Sequence, residues 1–427
     1  MNGRRWALIA FCVVVNCWTG ERSARSQNLT NEWIEKQVRP LVEKHLVDGL
    51  SVGYIEGEHW GIMHFGSANP AGEIPNSSTI YELGSISKVF TSLLLADAVT
   101  RGEIDLNAAV DVKNAAGIKL PSREGRQITW LDFSTHRTGL PRLPANLGAT
   151  SLENPYSEYD SKKAAAFLNH YELPRKPGEK NEYSNLAVSV LGYLLAEKAG
   201  KPYEQLLRER IAEPLKLTDC TVALSDDQKK RLATPHSAYG VATSTWEFAD
   251  LPGAGGIRAT MRDMMRFARA QLNPPKGELG DAIELAWKQH AASDGSDFAM
   301  GLAWMIARDG ETRWHTGGTG GYRTALFINR QFKCASIVLC NTTAEAEVNG
   351  LAERMIQRAA GGLKDDDKVE EPDGNKEKPK IDAELRGRLV GRYQLSPNFI
   401  FDVQDKDGHL MVGITNQPTL EVFPDSA

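Results

Sequence analysis

Residues 81–102 read YELGSISKVFTSLLLADAVTRG, and both the fold and the chemistry turn on how this stretch is taken. After Gly84 the apolar residues recur at helical spacing (Val89, Leu93, Ala96, Val99) until Gly102 stops the run. Ser85 therefore stands at or just before the first turn of a buried helix. Lys88 lies three residues on, so the two side chains share one helix face. A serine hydroxyl is a poor nucleophile until a neighbour takes its proton. A lysine whose pKa is lowered by burial from about 10.4 can be that neighbour. The helix N-terminus also favours the negative charge that develops as a serine attacks. Alone, Ser-x-x-Lys is a weak signal, because a helix start followed by a solvated lysine produces the same letters.

The chain has 427 residues, room for one large domain and a small one or for two of medium size, and its net charge of -5 argues against a nucleic-acid surface. At the N-terminus Arg4 and Arg5 precede the apolar stretch Trp6–Val15, and Ala24-Arg25-Ser26 offers a small-x-small cleavage site. Residues 1–26 thus read as a secretory signal peptide, too short in its apolar part for a stable membrane span, which implies a periplasmic or secreted protein. Cys17 invites a lipoprotein reading, but Asn16 is a poor residue before a lipidated cysteine, so lipid anchoring is not expected. Cys220, Cys334 and Cys340 remain after the signal, an odd number. The last two share the alternating run KCASIVLC and stand roughly 20 Å apart on a strand, so they cannot pair with each other. Core packing is the expectation for all three.

Outward from the opening stretch, Thr30 is expected to cap a helix reaching His45, with Trp33, Val38, Leu41 and Leu46 as its buried stripe. Strands follow at Leu50–Ile55 and Trp60–Phe65. Here Gly49-Leu50-Ser51-Val52-Gly53 spells G-x-S-x-G, but that nucleophile elbow needs strand, turn, helix, and the order here is helix, turn, strand. Ser51 is therefore read as structural. The middle is mostly helical: Trp130–Thr135, Ser161–His170, Leu186–Gly200, Pro202–Ile211, and Thr260–Leu272, where Thr260 and Asp263 suggest a capping box. Strands return at Gly301–Arg308, Trp314–Thr316, Thr324–Asn329 and Ala335–Leu339, before a helix from Glu345 to Ala359. The result is an α+β domain over 27–362, an antiparallel sheet flanked by terminal helices with a large helical insertion. Residues 363–380 are a charged, solvated linker, and 381–427 form a small, possibly incomplete β-strand module.

Two further short motifs fall after Ser85-x-x-Lys88. Tyr183-Ser184-Asn185 stands in a polar loop before a helix, and His315-Thr316-Gly317 ends a strand and runs into Gly318. Each alone is what packing or a turn produces. In this order, on these elements, they resemble the class C branch of the serine β-lactamase-like superfamily, which holds class C β-lactamases, penicillin-binding D-Ala-D-Ala carboxypeptidase/endopeptidases and related esterases. The resemblance spans about residues 30–360 and includes Ile128–Pro141 (ITWLDFSTHRTGLP) and Pro177-Gly178. It implies a β-lactamase/transpeptidase-like fold and a serine acyl hydrolase that works through an acyl-enzyme, without cofactor or metal. The implied partner is a small peptide, β-lactam or ester, with peptidoglycan as a wider context and no nucleic acid or stable membrane span. Ser85 would be the acylated nucleophile, Lys88 and Tyr183 would share proton transfer, and Asn185 would hold the substrate's amide. The backbone N–H groups of Ser85 and Gly318 would form the oxyanion hole, along a strand edge made by His315, Thr316, Gly317 and Gly318.

Many relatives carry lysine where this chain has His315. A histidine titrating near 6.5 would hold a substrate carboxylate less firmly at pH 7.5 unless Arg323 or another cation helps. That leans the reading towards peptidase or esterase rather than efficient β-lactamase. A penicillin sensor that acylates without turnover, or a silent wall-binding module, stands outside the enzyme class. No metal site is expected, since His59 and His64 fall on opposite faces of one strand.

Overall fold

Along β1 (Gly49–Glu56) every residue is buried, because this strand is covered on both faces. The computed structural model describes residues 28–148, 154–238, 240–295, 297–363, 383–396, 399–406, 408–414 and 420–421. The expected signal peptide 1–26 lies outside the described residues, as does the expected linker beyond residue 363. β1 pairs with β2 (His59–Gly66) on one side. On the other it pairs with the last strand of the sheet, β7 (Cys334–Cys340), so that Leu50 faces Cys340 across nearly the whole domain sequence. Between them in the chain come β3 (Ala299–Met300), β4 (Met305–Ile306), β5 (Thr312–Gly318) and β6 (Arg323–Asn329), and the spatial order is β2-β1-β7-β6-β5-β4-β3, antiparallel throughout.

Five helices line the two cores of this domain: α1 (Asn31–Glu43), α2 (Ser87–Thr100), α3 (Asn185–Ala199), α4 (Met261–Leu272) and α5 (Glu345–Ala359). The period-two alternation of the strands separates two cores. Leu50, Val52, Tyr54, Phe327 and Val338 pack with Ile34, Val38, Leu351 and Met355 of the terminal helices α1 and α5. Ile55, Leu326, Ile337 and Leu339 face the larger core with α2, α3 and α4, where Phe90 stacks on Phe267 at 4.3 Å. Truncating Phe90 to alanine there costs about 3–5 kcal/mol. The closeness of α4 explains Gly53, since a Cβ at that position would stand 2.6 Å from the Met261 sulfur.

Thr30 caps α1 by accepting from the Trp33 N–H, and Thr260 and Asp263 form the full capping box of α4. Two expectations need correction. The buried stripe of α1 is Ile34, Gln37 and Val38 rather than one reaching Leu46. The helix ends at Glu43 and His45 turns at φ 54, which takes Leu46 out of helical phase and leaves it 37% exposed. The strand expected over Gly301–Arg308 is instead the hairpin β3–β4, because Gly301 donates to the Trp304 carbonyl at 2.8 Å and closes a turn around Ala303. A two-stranded sheet, Ile80–Glu82 with Arg258–Thr260, and a helix over Glu278–Trp287 are further elements of the fold.

A second compact unit spans Asp365–Ala427. It holds a short helix, Ala383–Leu389, and an antiparallel sheet of Gly391–Ser396, Phe399–Lys406, His409–Ile414 and Leu420–Glu421 in sequential order. Arg386 pairs with Asp405 at 2.9 Å and ties the helix to its second strand. No described helix is long and apolar enough to cross a membrane.

Candidate active site

Ser85 lies in a 3-10 turn, Gly84–Ile86, that leads directly into α2. Gly84 is required there: its φ is +53, and a Cβ would stand 2.5 Å from the backbone nitrogen of Gly318. β5 is thus pressed backbone to backbone against the turn that carries Ser85, reinforced by Thr324 Oγ1 donating to the Leu83 carbonyl at 2.8 Å. Lys88 is fully buried. Its Nζ stands 3.0 Å from Ser85 Oγ and donates to the Ala254 carbonyl at 2.7 Å. Burial first, and then the Arg142 charge, hold the Lys88 amine well below the usual lysine range. A neutral amine at this distance can accept the serine proton. Ala254 comes from a short turn, Pro252–Ala254, wedged between α2 and α3. Gly253 permits that approach, because a Cβ there would lie 2.8 Å from the Val188 carbonyl.

The loop carrying Tyr183 rests on the stretch Ile128–Pro141. Thr129 and Asp132 form a capping box for the short helix Trp130–Ser134, and the chain then turns at His136, whose φ is 55. The His136 carbonyl accepts from the Glu182 N–H at 2.7 Å, and its Nδ1 accepts from the Ser184 N–H at 3.3 Å. Ser184 Oγ donates to the Pro141 carbonyl at 2.7 Å and also caps α3. Tyr183 so held has Lys88 Nζ 4.9 Å and Arg142 Cζ 5.0 Å from its ring centre. The His136 and His315 rings are centred 4.5 and 6.4 Å away. Burial raises the Tyr183 pKa, an effect only partly offset by its hydrogen bond with Ser85 and by the Arg142 charge. Of the two residues expected to share proton transfer, Tyr183 is therefore held as a phenol, and Lys88 is the group shifted towards the base form.

His315 differs from expectation more sharply. It is 1% exposed, and burial followed by the Lys88 charge pushes its pKa down to about 3. Its Nδ1 lies 2.6 Å from the Thr316 carbonyl, which can only accept, so Nδ1 carries the proton and Nε2 presents a lone pair. That Nε2 is buried without a partner among the described residues. An imidazole in this state cannot serve as the cation that holds a carboxylate at neutral pH. Nor does Arg323 fill that place, since it donates to the Thr319 and Tyr322 carbonyls at 2.8 and 2.9 Å and faces Glu345 at 3.6 Å. It braces the turn beyond Gly318.

The structure brings Ser85, Lys88, Tyr183, His315 and Gly318 into one cluster, with Thr316 and Gly317 along the same strand. Asn185 stands at the first position of α3, two residues after Tyr183. Its Nδ2 donates to Tyr156 OH at 3.4 Å, and its Oδ1 is buried without a partner among the described residues. Tyr156 stacks on Phe248 and meets Trp246 edge-on, each at 5.1 Å between ring centres. The Trp246 backbone is fixed by a buried pair in which Arg258 donates to Glu82 at 3.0 Å, while Trp246 N donates to the same carboxylate at 3.0 Å. Sequence reasoning missed Arg142, Tyr156, Trp246 and the Ala254 carbonyl. Arg142 follows directly on the Gly-Leu-Pro turn of a stretch already singled out, whereas the others carry no local pattern. No described group of three or more His, Cys, Asp or Glu could hold a metal ion.

Ser51 sits away from this cluster, fully buried in β1. Cys220, Cys334 and Cys340 are all buried.

The family model described as Beta-lactamase matches residues 34–360. The D-alanyl-D-alanine-carboxypeptidase/endopeptidase AmpH of Escherichia coli strain K12 is 27% identical over 308 residues, covering 68% of this chain and 78% of that one. A β-lactamase of the same strain is 27% identical over 307 residues, covering 70% and 75%. Among solved structures, a β-lactamase/D-alanine carboxypeptidase from Yersinia pestis complexed with citrate superposes with a TM-score of 0.64 at 21% identity, covering 77% of this chain and 100% of that one.

Proposed function

Since the chain belongs to the β-lactamase family, we propose that it is an exported serine hydrolase acting on D-Ala-D-Ala peptides or on the β-lactams that mimic them. The observation that carries the reading is the buried Lys88 amine, 3.0 Å from Ser85 Oγ and held by Ala254. Ser85 attacks the acyl carbonyl and its proton passes to Lys88. The oxyanion is met by the N–H groups of Ser85 and Gly318, a pair worth roughly 3 kcal/mol per donor. Asn185 holds the amide of the acyl portion. As the tetrahedral adduct collapses, the Tyr183 phenol donates its proton to the leaving nitrogen or oxygen and recovers one from the Lys88 ammonium. Water then cleaves the Ser85 ester in the reverse sequence of proton transfers.

The carboxypeptidase/endopeptidase reading draws on the AmpH relative, and the β-lactamase reading on the other. An esterase is the second reading. It is favoured by the neutral His315, which leaves β5 without a fixed cation for a leaving-group carboxylate. Export rests on residues 1–26, and the catalytic domain is assigned to 27–362, with 381–427 as a separate module. The test is covalent labelling of the purified full chain with a fluorescent penicillin, followed by hydrolysis of a D-Ala-D-Ala peptide, a chromogenic β-lactam and a short-chain aryl ester. Labelling that depends on Ser85 with turnover of the peptide is the expected result. Labelling without turnover of any of the three would make the protein a sensor, and no labelling would overturn the acyl-enzyme reading.

A further inference from the structure

Arg142 is an unspent charge beside the reacting groups. Its backbone is fixed, since its carbonyl accepts from the Asn185 and Leu186 N–H groups at 3.0 and 3.3 Å. Its side chain is exposed, with the guanidinium carbon 5.0 Å from the centre of the Tyr183 ring. It makes no ion pair with any carboxylate among the described residues. A guanidinium stays charged at any working pH and offers a planar fork of donors that matches a carboxylate. The residues joined to it complete a subsite. Asn185 Oδ1 is a buried acceptor and Trp246 Nε1 a buried donor, both without partners among the described residues. Tyr156, bonded to Asn185, presents an aromatic face stacked on Phe248. β5, whose His315 also borders the Tyr183 ring, presents a lone pair in place of a cation.

We propose that Arg142 is an anion-recognition residue on the acyl side of the site, and that the preferred substrates carry a carboxylate on the acyl portion, the part that stays on Ser85. Tyr156 and Trp246 flank the apolar stem that bears this carboxylate. This inference rests on the acyl-enzyme reading above and names its substrate class. It also reverses the usual assignment of charges in such a cleft: the anion is sought on the portion retained by the enzyme, and not required on the portion that leaves.

Two penicillins test it: benzylpenicillin, and α-carboxybenzylpenicillin, which differs by one carboxylate on the acyl side chain. Second-order acylation constants are measured on the full chain, on Arg142→Gln and on Arg142→Lys, with thermal melting to verify that each variant is folded. The wild type is expected to prefer the carboxylated compound by roughly tenfold, the size of one charge-assisted contact. Arg142→Gln should bring the ratio to about one, and Arg142→Lys should restore part of it, which loss of a merely structural side chain would not do. An unchanged ratio in folded Arg142→Gln overturns the proposal, as does a wild type that acylates with both compounds equally fast. If neither compound labels the wild type, the acyl-enzyme reading itself fails and takes this inference with it. Equal labelling by both removes the inference alone.

Discussion

Ser51 and Ser85 both sit within hydrogen-bond distance of a basic side chain, and only Ser85 has the surroundings proposed for a nucleophile. Ser51 Oγ stands 2.8 Å from His64 Nδ1, a pairing that on distance alone looks more like a hydrolase dyad than Ser85 beside Lys88 at 3.0 Å. Yet Ser51 is 0% exposed in the middle of a strand, and its hydroxyl also meets Tyr81 OH at 3.0 Å. His64 reaches Ser77 through its other nitrogen at 3.2 Å. That network is closed: each hydroxyl and ring nitrogen already has a partner. Around Ser85 several groups are held in reserve, with Lys88 shifted towards a free amine and Asn185 Oδ1 and His315 Nε2 left without partners among the described residues. A hydrogen bond to a base is common to both regions. Access for an acyl carbonyl, and polar capacity still to be satisfied, belong to one.

The contrast breaks most directly under substitution. Ser85→Ala should lower acyl transfer by at least about a thousandfold and abolish covalent labelling, while Ser51→Ala leaves labelling within about twofold. Labelling that survives Ser85→Ala and vanishes in Ser51→Ala would reverse the two assignments. Tyr183→Phe removes the phenol proposed to protonate the leaving group and should cost about 100-fold with a poor leaving group such as an amine. An ester with a nitrophenolate leaving group needs no such proton and should lose far less. Equal losses on the two substrates would take the acid role from Tyr183.

The depressed His315 pKa gives a prediction about stability. Its folded value of about 3 lies below the unfolded 6.5, so the folded state binds fewer protons between these values. The contribution is fully present above pH 6.5 and is lost as pH falls towards 3. His315→Gln carries no such proton and should hold its melting temperature better than wild type between pH 6 and pH 4, by an amount on the order of 1 kcal/mol or more. If the wild type and His315→Gln lose stability in parallel through that window, His315 is protonated in the folded protein and the carboxylate-holding role returns. A smaller effect is expected for Ser51→Ala on stability: one buried hydrogen-bond set is worth about 1 kcal/mol, a shift of roughly 2 °C in thermal midpoint. Smallest of all, a chain ending at Gly362 should keep its acyl-transfer rate within about twofold, since the clustered residues all precede that point. A folded truncation that loses acyl transfer would move part of the site into the C-terminal unit.

What the sequence disclosed about these regions follows the range over which each feature is encoded. The helix after Ser85, the capping box at Thr260 and the helix Glu345–Ala359 are local patterns, and each appears where its pattern places it. Ser51 could be set aside by element order alone. The hairpin inside Gly301–Arg308 was illegible because one turn bond, Gly301 to Trp304, decides it. The protonation states were illegible for a deeper reason. His315 and Tyr183 are ordinary letters whose pKa values move through burial contributed by distant segments, α2 and the loop of Pro252–Ala254 among them. Arg142 was overlooked because its significance lies in the ring it faces, not in its neighbours along the chain.

The contact between Gly84 and Gly318 has a consequence in time. The turn that carries Ser85 leaves the ribosome more than two hundred residues before the strand that packs against it, and β7, which closes the sheet against β1, comes later still. Loop closure over such a span is slow relative to local helix formation. During synthesis α2 can form with Ser85 and Lys88 already one turn apart, before the Gly318 N–H of the proposed oxyanion hole has been made. Ser85 and Gly318 therefore come together only after β5 has been made and packed against the turn of Gly84.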